Sequence, residues 1–159
     1  MSNTLLRFAL FFIGFIAIAV QVLLVREFMV VFFGNELCLG IILGGWLIGI
    51  TIGTAFGGRI ARRDAGTAPL FIILQAFICL IPFVQIGTIR LIRSMLDVAP
   101  GEYITLLPLI ASAFLITLPF SFAIGLLFPC ACTLLVDQLN RKAHHIGLVY
   151  IFEAAGSLT

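Results

Sequence analysis

From Tyr103 to Val136 the chain runs 34 residues without a charged side chain. No other feature constrains the fold as strongly, because a domain folding in water has to interrupt its apolar segments with a solvated face. Three shorter runs are equally free of charge: Phe8 to Val25, where Gln21 is the polar exception, Leu37 to Gly58, and Ala68 to Ile89. Crossing the hydrocarbon core of a bilayer takes about 20 residues of helix. The runs are continuously apolar rather than alternating, which excludes a membrane β-barrel. With 62% hydrophobic and 10% charged residues and a mean hydropathy of +1.26, the expected class is an all-α polytopic membrane protein. It is a bundle of four full transmembrane helices plus the start of a fifth.

The expected spans are 8–25, 37–58, 68–89 and 103–136, with a partial helix over 146–159. The run from 103 is too long for one straight crossing and too short for two with a turn. One tilted helix, kinked by Pro119 or Pro129, is expected, with a broken helix or re-entrant hairpin as the alternative. The segment 146–159 begins as a helix and stops mid-pattern, so the chain reads as a fragment whose fifth helix is cut. A secretory signal peptide is set aside: no small-residue cleavage site follows the first run, and "VREFMVVFFGNEL" continues it.

Charge asymmetry gives an orientation. Arg7, Arg59, Arg62, Arg63, Arg141 and Lys142 fall on one side, and Arg26, Arg90 and Arg93 on the other. The richer side is expected to be cytoplasmic, which places the N-terminus inside, in a cytoplasmic membrane of bacterial type. The net charge of +2 comes with no basic stripe, so no nucleic-acid partner is expected. Cys38, Cys79, Cys130 and Cys132 sit in or beside apolar runs and read as small hydrophobes. Their spacing is not that of a zinc site, and no metal is expected.

The second span carries glycine at 45, 49, 53 and 57. Glycine at every fourth place gives one smooth helix face, so that another helix can approach and pack by van der Waals contact. Gly40 and Gly44 are expected to extend this face. Packing within the chain is the expected use of the row, and a homodimer built on it is the alternative.

Charges beside apolar spans need partners. Arg26-Glu27 follows the first span and Asn35-Glu36 precedes the second; they read as interfacial anchors, with an Arg26–Glu36 ion pair across the connection or a polar cluster lining a cavity as the alternatives. Glu153 shares a helical face with Tyr150 and Gly156; its expected cation is Arg26, Arg90 or a bound ligand. Arg26, Glu27, Asn35, Glu36, Tyr150 and Glu153 therefore form the candidate polar cluster. Gln21, Gln75 and Gln85 read as interhelical hydrogen-bonders. Thr51, Thr54, Thr117 and Ser121 read as hydroxyls bonded to their own helices. No nucleotide-binding, metalloprotease or Ser/His/Asp pattern is present, so no catalytic residue and no cofactor are expected.

Three stretches, in order, carry a resemblance. "VREFMVVFFGNELCLGIILGGWLIGITIGTAFGGRIARR", "PFSFAIGLLFPCACTLL" and "GLVYIFEAAGSLT" are similar to the first hairpin, the fourth helix and the start of the fifth helix of the membrane-bound spermidine synthase-like proteins. In that family a helical membrane bundle precedes or replaces a soluble aminopropyltransferase-like domain. That domain uses decarboxylated S-adenosylmethionine and putrescine, and none of its motifs occurs here. The resemblance implies a membrane module that anchors or serves such a domain, located downstream or on a separate chain. A polyamine-like cation transporter half and a purely structural membrane subunit are the alternatives.

Overall fold

The computed structural model describes residues 3–32, 36–61, 67–95, 105–139 and 142–158. Five helices account for nearly all of them: α1 Asn3–Val31, α2 Glu36–Ala61, α3 Thr67–Met95, α4 Leu106–Leu139 and α5 Lys142–Ser157. Each of the first four contains a segment long and apolar enough to cross a membrane. A helix suits such segments because it satisfies its own backbone hydrogen bonds without water.

The helices outrun the apolar cores read from the sequence. α1 continues through Arg26 and Glu27 to Val31, so most of the stretch expected to connect the first two spans is helix. The polar stretch after the fourth span shortens in the same way, since α4 reaches Leu139 and α5 begins at Lys142. The long uncharged run is one helix of 34 residues with Pro119 and Pro129 inside it. Prolines also mark helix starts. Pro69 and Pro108 stand in the first turns of α3 and α4, where an N–H has no intrahelical acceptor to lose.

α4 is the central element and α2 is its closest companion. A Cβ placed on Gly45 would stand 3.1 Å from Thr117 Oγ1, and one on Gly57 would stand 3.0 Å from the Leu126 carbonyl oxygen. Gly49 meets Ser121, and Gly53 meets the Phe122 carbonyl and Gly125. The contacts climb both helices together, so α2 and α4 run in the same direction. Gly40 and Gly44 do not extend this face as the spacing suggested; a side chain there would meet nothing within 4 Å. The hydroxyls opposite the row are spent on their own helix. Thr117 donates to the Ala113 carbonyl at 2.7 Å and Ser121 to the Thr117 carbonyl at 2.9 Å.

α3 covers another side of α4. Gln85, 4% exposed, donates from Nε2 to the Ile116 carbonyl, while its Oε1 finds no partner. The core between the helices holds Leu24, Phe28, Ile42, Phe71, Ile78, Ile89, Phe120 and Leu127. The outward faces are apolar as well: Phe8, Val22, Leu47, Ile73, Phe83 and Leu115 all stand open. A continuous apolar exterior of this kind matches a hydrocarbon surrounding and is costly in water.

Candidate functional site

The last helix makes the site. α5 crosses α1 at two glycines, where Gly14 lies against the Glu153 carbonyl and Gly156 against the Phe11 carbonyl. With no Cβ on either residue, the backbones touch, and the Cα–H groups face carbonyl oxygens.

Beside this crossing is a cavity of about 260 Å³. Four helices line it with residues at helical spacing. Gly14, Ala17, Ile18 and Gln21 come from α1, Trp46 and Ile50 from α2, and Ile124 from α4. α5 contributes Tyr150, Glu153, Ala154 and Ser157. On α1 and α5 the members fall at i, i+3, i+4 and i+7, and Trp46 and Ile50 at i and i+4, spacings that bring each set to one helix face.

Glu153 is half-buried in this wall. Among the described residues no lysine, arginine or histidine pairs with it. A carboxylate held away from water without a cation is expensive. Its neighbours are neutral: the Gln21 amide, the Tyr150 phenol, the Ser157 hydroxyl and the Trp46 indole. Trp46 is buried, its ring 5.4 Å from that of Phe120. Tyr150 is largely exposed and stands at the open side. One acid beside two aromatic rings in an apolar pocket is a setting for a cation. Among the described residues no set of three His, Cys, Asp or Glu side chains comes together to hold a metal.

The five described residues of the candidate polar cluster do not all come together. Tyr150 and Glu153 line the cavity. Glu27 forms a two-pronged ion pair with Arg90 instead, with Nε to Oε2 at 2.9 Å and Nη2 to Oε1 at 2.7 Å. The Arg26–Glu36 pair is absent, and both residues are exposed. The reason is the helical continuation of α1. It carries Glu27 toward α3, whose own last turns bring Arg90 to the same end of the bundle. Arg90 is thereby taken, so neither cation expected for Glu153 reaches it. Asn35 lies outside the described residues.

Gln21, Trp46 and Gly14 enter the site without having been singled out for it. Gln21 carried a signal, being the polar exception of its span. Trp46 and Gly14 look like ordinary apolar and small residues until α5 is in place.

No protein family, curated protein or solved structure matches the chain.

Proposed function

We propose that the chain is the membrane-embedded helical module of a spermidine synthase-like protein, and that its cavity takes a small organic ammonium ion. The module sits in a bacterial cytoplasmic membrane with its N-terminus in the cytoplasm. It anchors or serves an aminopropyltransferase-like domain that is not part of this sequence. The observation that carries the cation reading is Glu153, a half-buried carboxylate with no cation from the described residues, set between Gln21, Trp46 and Tyr150. The ordered resemblance of the three stretches supports the family reading. The charge asymmetry supports the orientation.

The chain carries one tryptophan, and it lines the cavity, so its fluorescence reports occupancy. Purified protein in detergent is titrated with putrescine, using sodium as the ionic-strength control. Wild type is expected to show a saturable change in Trp46 emission. Glu153→Gln is expected to weaken it at least about tenfold, the loss of one charge-assisted contact. Equal titrations of the two proteins would remove Glu153 from the site and with it the cation reading.

A further inference from the structure

A second cavity, of about 250 Å³, lies where α1 begins its apolar run. Arg7, Phe8 and Phe11 of α1 and Phe152 of α5 line it. The Arg7 guanidinium stands 5.8 Å from the centroid of the Phe152 ring. The membrane-crossing segment of α1 starts at Arg7, so the cation stands at the mouth and the phenylalanines continue into the apolar zone. Among the described residues no carboxylate pairs with Arg7.

We propose that this groove holds one anionic phospholipid, its phosphate on the Arg7 guanidinium and the upper part of an acyl chain along Phe8, Phe11 and Phe152. Charge complementarity selects the headgroup, since a guanidinium offers a planar fork of donors that matches phosphate oxygens. The rings select the chain, because beside Arg7 the described lining is three phenylalanine side chains, which offer an acyl tail contact and no hydrogen bond. Arg59 supplies the contrast. It stands over Phe56 at 5.6 Å, and its Nη1 already donates to the Ala55 carbonyl of its own helix at 3.3 Å.

The inference rests on the membrane reading above, which is checked first and separately. Protein that leaves cell membranes in an alkaline carbonate wash would refute membrane insertion before any lipid is added. Purified protein in detergent is then mixed with phosphatidylglycerol or phosphatidylcholine, and bound lipid is counted by native mass spectrometry. Wild type is expected to favour phosphatidylglycerol roughly fivefold, about what one basic side chain contributes beside an anionic lipid surface. Arg7→Gln is expected to erase the preference and Arg59→Gln to keep it. Phe8→Ala changes an exposed ring and is expected to weaken binding of both lipids without altering their ratio. It serves as the test if Arg7→Gln does not fold. Equal binding of the two lipids by wild type, equal losses in Arg7→Gln and Arg59→Gln, or unchanged affinities in Phe8→Ala would each overturn the assignment.

Discussion

Gly14 and Gly156 lock α1 to α5 reciprocally: each lies against the carbonyl of the residue three places before the other, Glu153 in one direction and Phe11 in the other. Gly53 and Gly125 repeat this arrangement between α2 and α4, with Gly53 on the Phe122 carbonyl and Gly125 on that of Ile50. The bundle thus uses one crossing geometry twice. A Cβ at position 14 would collide with the carbonyl oxygen of Glu153 and stand 3.2 Å from its Cα, and backbone cannot swing aside as a side chain can. Gly14→Ala and Gly156→Ala are each expected to destabilise by about 1–3 kcal/mol, the usual cost of overpacking. Thermal unfolding in detergent measures this, and an unchanged midpoint in both would refute the crossing.

The row on α2 makes a contrast within one helix. Gly49→Leu and Gly53→Leu force a side chain into Ser121 and the Phe122 carbonyl, and large losses of stability are expected. Gly40→Leu and Gly44→Leu point into open space and are expected to fall within about 0.5 kcal/mol of wild type. If all four variants melted alike, the glycines would be acting through helix propensity rather than through α4.

Gln85 gives a prediction of opposite sign. Its Nε2 is bonded but its buried Oε1 is not, so the amide gains one hydrogen bond and leaves one acceptor unsatisfied. A net bond contributes about 1 kcal/mol and an unsatisfied buried acceptor costs about 1–3 kcal/mol. Gln85→Leu, similar in shape, is therefore expected to be neutral or stabilising, whereas Gln85→Ala opens a void and destabilises. A marked loss in Gln85→Leu would mean that Oε1 has a partner in the folded protein in detergent.

The Glu27–Arg90 pair is well aligned, yet two thirds of the Arg90 side chain is exposed. Exposed pairs add little because solvent already screens the charges. Glu27→Gln is expected to shift the melting temperature less than any of the buried glycine variants, and to leave putrescine titrations of Trp46 unchanged. A loss of binding in Glu27→Gln would tie this end of the bundle to the Glu153 cavity.

Legibility of this sequence followed periodicity. The apolar runs announce helices because no other element lets 34 uncharged residues satisfy their backbones together. The spacing of Gly45, Gly49, Gly53 and Gly57 announces one smooth face, though not its partner. Gly40 and Gly44 are four apart but one residue out of step with Gly45, so they lie on a stripe rotated by about 100° from the row and face open space. The pairing of charges was the hardest part. Arg26 and Glu27 are adjacent in sequence, and only the rotation of α1 decides which of them meets α3. Tyr150 and Glu153 were readable as sharing a face. That Gln21 and Trp46 stand opposite them is a tertiary fact, set by where α5 crosses α1.

Glu153 touches Gly14 with its backbone and faces the cavity with its side chain. That wall therefore behaves as a one-way stop. A ligand pulling on the carboxylate cannot draw α5 closer to α1, since no gap remains between the Glu153 carbonyl and the Gly14 backbone. Any narrowing of the cavity would therefore have to come from the α2 and α4 walls, where Trp46, Ile50 and Ile124 stand, or from rotation of the side chains themselves.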